Sequence, residues 1–169
     1  MKRAPTGTPG GKPLRGKKSW REKLSDDKDL PKVVQLAGEA AKRFGGETLA
    51  IPAPREVDAL MRKVPRGKLA TTIELQSAVA RRHRAAAGCG ITTGIFAWMA
   101  AHAADEAASA GESEITPYWR ILKKDGELNP KYPGGIPALI TRLEAEGHAV
   151  FQKGKRFFVR DYASSLAKL

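Results

Sequence analysis

The spacing of apolar residues predicts four helices in the main part of the chain. Apolar side chains recur at about every third or fourth position in Thr72–His83, Ile95–Ala104 and Ile136–Glu146. Arg55–Met61 directly follows a proline that is well placed in the first turn of a helix. These segments make helix the main element of the predicted fold.

The helix predicted over Thr72–His83 has a defined start. Thr71 and Glu74 stand three positions apart, which is the spacing of a capping box at a helix N-terminus. Lys68–Thr71 before it predicts a short strand, and Arg84–Gly90 after it predicts a turn that leads through Ile91–Gly94 into the next helix. A helix, a tight turn and a second helix form an arrangement that many DNA-binding proteins use.

The N-terminal part of the chain divides into two pieces. Residues 1–18 are Lys, Arg, Gly, Pro and Thr with hardly an apolar side chain, so we predict a disordered basic arm. This arm could neutralise phosphates, or it could serve as a solubilising or localisation tail. In residues 19–50, Lys32–Ala37 and Ala40–Phe44 have roughly helical spacing and precede Gly45-Gly46. They predict one helix packed on the main domain.

The C-terminal part predicts a β-hairpin. Ala149–Gln152 and Arg156–Arg160 alternate as strands do and flank a Lys-Gly-Lys turn. Together with the helix–turn–helix, the hairpin predicts a mainly α fold with small β elements, a winged helix-turn-helix domain over residues 51–162, followed by a tail at 163–169. Lys153, Lys155 and Arg156 suit a wing along a phosphate backbone, although a charged turn that keeps the protein soluble would look the same.

Charge and composition narrow the class of partner. The chain of 169 residues has a net charge of +12 and a pI of about 10.0, which favours polyanions. Ribosome-bound, membrane-surface and DNA-binding proteins share this signature. No stretch is apolar enough for a membrane span, and the single Cys89 excludes an intrachain disulfide, so we expect a cytoplasmic protein. The scattered histidines predict no metal site, and we expect no cofactor.

Several motifs resemble the alkylguanine-DNA alkyltransferases. Pro117–Arg120 reads Pro-Tyr-Trp-Arg where that family has Pro-Cys-His-Arg, and Asn129–Gly135 is similar to its Asn-Tyr-Ser-Gly-Gly turn with two residues inserted. Pro65–Lys68 is similar to the turn before its short strand, and Glu146–His148 repeats its Glu-Gly-His. The order of these matches makes the resemblance specific. It is closest to the alkyltransferase-like proteins, which keep the DNA-binding fold and replace the cysteine with an aromatic residue.

The resemblance implies a DNA-binding protein that is not an enzyme. Tyr118 stands at the alkyl-accepting cysteine position, and a phenol with a pKa near ~10 is a poor nucleophile at neutral pH. The family receives a flipped guanine in a pocket, and the residues here that inherit that role are Tyr118, Trp119, Arg120, Tyr132, Gly134 and Gly135. The residues that we predict to contact the DNA backbone are Lys68, Arg81, Arg82, Arg84, Thr92, Thr93, Lys153, Lys155 and Arg156.

Some residues depart from the family pattern. The family's arginine that fills the place of the flipped base belongs near Thr93–Ile95, where this chain has no arginine. The second half of the same helix carries Asp105 and Glu106, and acidic residues oppose phosphate contact. The basic cluster Arg81–Arg84 could contact DNA, or it could simply be a solvated helix end favoured by the helix dipole.

Two functions therefore remain open from the sequence. The first is a monomeric protein that binds double-stranded DNA, senses alkylated or otherwise damaged bases and recruits DNA-repair proteins. The second is a winged-helix transcriptional regulator, or an RNA- or ribosome-associated protein, that keeps the scaffold without lesion recognition.

Overall fold

The computed structural model describes residues 16–169, which form six α-helices and seven short β-strands. The predicted basic arm lies outside this range except for its last three residues. The helices are α1 Trp20–Leu24, α2 Gly38–Phe44, α3 Pro54–Arg62, α4 Thr72–Arg82, α5 Gly90–Ser109 and α6 Gly135–Ala145. The strands are β1 Lys32–Gln35, β2 Thr48–Ile51, β3 Ala70–Thr71, β4 Ala87–Gly88, β5 Ile121–Leu122, β6 Val150–Lys153 and β7 Arg156–Val159.

Helices predominate in this mixed α/β fold, and the four predicted helices are confirmed. α3 begins with a proline, and α4 begins at the predicted capping box, in which the Ile73 amide donates to the Thr71 hydroxyl (3.1 Å) and the Thr71 amide donates to Glu74 (2.7 Å). α5 is longer than predicted, because the helix already begins at Gly90.

The N-terminal segment differs from the predicted single helix. Lys32–Gln35, placed in that helix by its spacing, is the strand β1, which pairs antiparallel with β2. Of the two segments that predicted this helix, only the second is helical, as α2, and Gly45 ends it with a positive φ of 73° that an L side chain rarely adopts. β-branched valines at positions 33 and 34 favour an extended chain, and the partner strand β2 supplies the hydrogen bonds.

The N-terminal segment is joined to the main domain by a second strand pair. β2 pairs in parallel with β4, which lies in the predicted turn between α4 and α5. β4 is only two residues long and has no hydrophobic pattern of its own. Its pairing places Ala50 in the core, fully buried.

The core lies between α3, α4, α5 and the short parallel pair β3–β5. Large side chains such as Met61, Leu75 and Ile121 are buried there, whereas α5 contributes mainly alanines. Small alanine side chains let the α5 backbone approach the neighbouring helices closely. This long helix is therefore held by close backbone packing and not by large side chains of its own.

The C-terminal residues form a hairpin and a docked segment. β6 and β7 pair antiparallel across Gly154-Lys155, which confirms the predicted hairpin. The predicted tail is not free of the domain, because the Leu69 amide donates to the Ser165 carbonyl (2.9 Å) and the Ala167 amide donates to the Leu69 carbonyl (2.8 Å). Leu166 and Leu169 pack against the core, which gives this segment an apolar reason to dock.

Candidate nucleic-acid interface

The start of α5 is fixed by hydrogen bonds from both neighbouring elements. The Cys89 amide, at the N-cap of α5, donates to the Ala50 carbonyl of β2 (2.8 Å), and the Gln76 side chain of α4 donates to the Gly88 carbonyl (2.8 Å). A Cβ at Gly88 would lie 2.3 Å from the Gln76 carbonyl oxygen, so only glycine fits there. α4 and α5 are therefore held in one fixed helix–turn–helix geometry.

The aromatic side chains that were predicted to line the pocket lie in contact, and the rings of Tyr118 and Tyr132 are buried in this structure. Tyr118 begins a short 3₁₀ turn, and its ring meets those of Trp119 (5.4 Å) and Tyr132 (5.9 Å) edge-on. Tyr118 is 2% exposed and Tyr132 is 4% exposed. Burial raises the pKa of both phenols above the usual value, with Arg142 opposing the rise at Tyr118. Both are neutral at physiological pH, so neither offers a phenolate nucleophile.

Arg142 covers this aromatic cluster, and no sequence motif indicated this contact. Its guanidinium lies 4.3 Å from the ring centre of Trp119 and 5.8 Å from that of Tyr118. A guanidinium over an aromatic face is attracted by the ring electrons. Arg142 belongs to α6 and the aromatic pair to the 3₁₀ turn, so only the tertiary fold brings them together. A base that is to stack on Trp119 must displace Arg142.

Arg120 points into a buried ion pair. Its guanidinium donates to Glu146 through Nε (2.9 Å) and Nη2 (2.8 Å), and Nη1 donates to the Val64 carbonyl (2.8 Å). Glu146 also accepts from the Trp119 indole (2.9 Å) and the Gly67 amide (3.2 Å). Burial alone would raise the pKa of Glu146, but these hydrogen bonds outweigh it and hold the pKa below its usual range. In this geometry the Arg120 guanidinium is held by Glu146 and Val64, and Arg120 also lines the surface depression beside Trp119.

The two predicted pocket glycines shape the turn before α6. Gly134 and Gly135 have positive φ angles of 77° and 65°. A Cβ at Gly134 would also lie 2.5 Å from the Ala138 Cβ. Glycine is therefore required at position 134, and the Gly135 amide donates to the Tyr132 carbonyl (3.0 Å), which positions the buried tyrosine.

The predicted backbone-contacting cations fall into two groups. Those that are exposed and make no ion pair within residues 16–169 are Lys68, Arg84, Lys153 and Lys155. Those that already have partners are Arg81 with the Leu169 carbonyl (2.5 Å), Arg82 with Glu56 (3.5 Å) and Arg156 with Glu127 (2.6 Å). The side chains of the first group are available for further ionic contacts, whereas each member of the second would have to share or give up a contact.

The two predicted threonines differ in accessibility. Thr92 is half-buried, and its hydroxyl donates to the Cys89 carbonyl (3.3 Å). Thr93 is fully buried on the face of α5 that packs on the core, so it cannot meet a phosphate in this structure. The prediction of a backbone contact by Thr93 is corrected accordingly.

The acidic end of α5 is occupied by α1. Glu106 accepts a hydrogen bond from the Arg21 amide in the first turn of α1 (2.9 Å), and Glu112 forms an ion pair with the Arg21 side chain (2.8 Å). These carboxylates bind a neighbouring element, which removes part of the repulsion that the sequence led us to expect between α5 and phosphates.

Two surface depressions flank the aromatic cluster and α5. One, of about 500 Å³, is lined by Arg62, Trp119, Arg142 and the segment 112–115. The other, of about 420 Å³, lies between the first half of α5 and the loop at residues 129–131. Sequence reasoning missed the second groove because its two walls are 30 residues or more apart in the chain.

Two solved structures are similar to this chain. One is S. pombe Atl1 in complex with damaged DNA containing O6-carboxymethylguanine, at 17% identity and a TM-score of 0.47, covering 69% of this chain and 94% of that one. The other is S. pombe ATL in complex with DNA, at 18% identity and a TM-score of 0.44, with the same coverages of 69% and 94%. Both are alkyltransferase-like proteins, the group that the motifs of this sequence resemble.

The sequence matches no family model and no curated protein. None of the helices within residues 16–169 has the length and apolarity that crossing a bilayer requires.

Proposed function

We propose that this protein is a non-enzymatic, monomeric DNA-binding protein that senses damaged bases in duplex DNA and recruits repair proteins. The observation that carries the proposal is the arrangement around α5. Its first turns carry no charged side chain and its acidic end is bound by α1. The exposed Arg84, which makes no ion pair within residues 16–169, lies in the turn between α4 and α5. A helix N-terminus of this kind can approach phosphates through its backbone amides.

The hairpin β6–β7 acts as the wing of a winged helix-turn-helix in this proposal. Lys153 and Lys155 are exposed at its turn and make no ion pair with any described residue. Arg156, directly after the turn, forms an ion pair with Glu127 (2.6 Å). The two lysines therefore offer phosphate contacts, while Arg156 holds the hairpin on the domain.

Damage sensing depends on the aromatic cluster of Tyr118, Trp119 and Tyr132. The side chain that replaces a reactive thiol here is a buried, neutral phenol, which supports a binding role and not alkyl transfer. Stacking of a base on an aromatic side chain contributes roughly ~1–3 kcal/mol. Because Arg142 covers Trp119, binding of an extruded base requires Arg142 to move away. Arg142 lines the 500 Å³ depression, which leaves room for that movement.

The test is equilibrium binding to matched duplexes with and without O6-methylguanine, and to structured RNA, at several salt concentrations. Binding to duplex is expected to fall with salt, and Lys153→Ala with Lys155→Ala to reduce the log–log slope by about 0.9 per lost phosphate contact. Lys42→Ala is the matched control, since Lys42 is equally exposed but is paired with Glu39 on α2 (3.0 Å). An unchanged slope in the double variant would remove the wing from the interface.

A winged-helix regulator or RNA-binding protein is the second candidate. Two observations favour this candidate. The rings of Tyr118 and Tyr132 are buried, and the first turns of α5 contain no arginine. Equal affinity for alkylated and plain duplexes supports this candidate over damage sensing, and tighter binding to structured RNA would assign the ligand to RNA.

A further inference from the structure

Two exposed isoleucines stand out at the start of α5. Ile91 is 77% exposed and Ile95 is 48% exposed, whereas the other large apolar side chains of α5 are at least partly buried. Only Val33 and Ile73 are comparably exposed among the large apolar residues of the described chain. Exposed apolar side chains that cluster indicate a contact surface, while single ones do not.

The two isoleucines form one ridge. They are four positions apart on a helix, so they lie on the same face one turn apart. Gly94 stands between them, and a Cβ built there would meet nothing within 4 Å, so the backbone beside the ridge is bare. A partner can therefore approach the α5 backbone closely at Gly94.

The ridge stands on a rigid support. One turn further along α5, the Trp98 indole and His102 Nε2 both lie 3.2 Å from the Lys131 carbonyl. Trp20 of α1 packs on both rings at 4.8 Å and 4.7 Å between ring centres. This cluster connects α5 to α1 and to the loop at residue 131. It therefore holds in place the helix that carries the two isoleucines.

The charge around the ridge indicates its partner. The groove beside it contains Asn129 and Lys131 and no acidic residue, and the first eight residues of α5 carry no charged side chain. A neighbouring depression that reaches Gly88, two residues before α5, contains the exposed Arg84. An apolar ridge flanked by cations matches a duplex, which is apolar between its stacked bases and anionic along its backbones.

We propose that Ile91 and Ile95 form an apolar wedge that inserts between stacked bases of duplex DNA. Proteins that kink DNA use apolar side chains of this kind to unstack a base step. The inference rests on the proposed DNA binding and adds to it a means of unstacking that requires no arginine at the start of α5.

The wedge is tested with a duplex that contains 2-aminopurine, a base whose fluorescence rises when it is unstacked. Saturating wild-type protein, with binding followed independently by anisotropy, is expected to raise the fluorescence. Ile91→Ala combined with Ile95→Ala is expected to abolish that rise and to weaken binding by about tenfold. The alanines bury less apolar surface between the bases than the isoleucines do. Val33→Ala on β1 is the matched control and should behave as wild type.

The outcomes separate the wedge from DNA binding itself. Duplex binding without a fluorescence rise, or a rise that persists in the double variant, overturns the wedge and leaves the proposed function intact. No binding to any duplex overturns both. A wild-type dimer in analytical ultracentrifugation that the double variant dissociates would assign the ridge to contact between copies, and it would overturn the wedge as well. Both side chains are exposed, so circular dichroism of the variants should match wild type.

Discussion

Replacing Glu146 with Gln should destabilise the protein strongly without changing the shape of the side chain. The carboxylate accepts hydrogen bonds from four N–H donors, namely the Gly67 amide, the Trp119 indole, and Nε and Nη2 of Arg120. An amide has one oxygen, and its NH₂ group would face donors where the second carboxylate oxygen now accepts. At least one donor loses its partner, and the Arg120 charge loses its counterion.

The magnitude follows from burial. The side chains of Arg120 and Glu146 are only 14% and 3% exposed, so solvent screens the pair weakly. Removing one partner of a buried ion pair costs about 3–5 kcal/mol, because the remaining charge stays desolvated and uncompensated. For a domain of this size a loss of about 3 kcal/mol lowers Tm by about 6–12 °C.

Urea denaturation followed by circular dichroism measures this loss, and Glu144→Gln is the control. Glu144 is exposed on the same helix and makes no ion pair with any residue in 16–169, so its substitution should change the free energy of unfolding by less than about 0.5 kcal/mol. If Glu146→Gln unfolds at the same urea concentration as Glu144→Gln, the network does not hold the 3₁₀ turn against α6, and the structural role given to Arg120 is wrong.

Three further outcomes are expected. Trp20→Ala should lower the free energy of unfolding in urea by about 2–4 kcal/mol, because it removes the ring that packs on Trp98 and His102 of α5. Intact-mass spectrometry after incubation with O6-methylguanine duplex should show no added methyl group, since the buried Tyr118 phenol is neutral; a stoichiometric adduct would make the protein an enzyme. The Arg156 guanidinium holds the pKa of Glu127 below its usual 4.5. The stabilisation that this ion pair contributes is therefore fully present above pH 4.5 and is lost as pH falls through the lowered pKa. Arg156→Ala should flatten this acid loss in urea titrations, and Lys155→Ala should not.

The parts of the fold that could be predicted are those with local signals. The capping box at Thr71 and Glu74 and the two-residue turn of the hairpin satisfy hydrogen bonds within a few residues. The proline at the start of α3 has no N–H that would need a partner in the first turn of a helix. β1 could not be recognised in this way, because a four-residue segment with two valines fits a helix or a strand until its partner is known. That partner, β2, begins 13 residues after the end of β1, and β4 begins 36 residues after the end of β2.

The candidate site divides in the same way. The motif alone placed Tyr118, Trp119 and Tyr132 together, and the structure brings their rings into contact. Whether a cation is free or paired depends on distant residues, so the sequence could not separate Lys155 from Arg156. Burial of Thr93 depends on the rotation of α5 against the core, which the weak polar pattern of its first turns does not specify.

The strand pair β2–β4 has a consequence for where the chain can be cut. A shortened protein that begins at residue 52 would lack Ala50, whose carbonyl accepts from the Cys89 amide at the beginning of α5. It would also lack Leu49 and Ala50 as core side chains. Since β1 pairs with β2 in the same sheet, deletion experiments on DNA binding should stop upstream of residue 32.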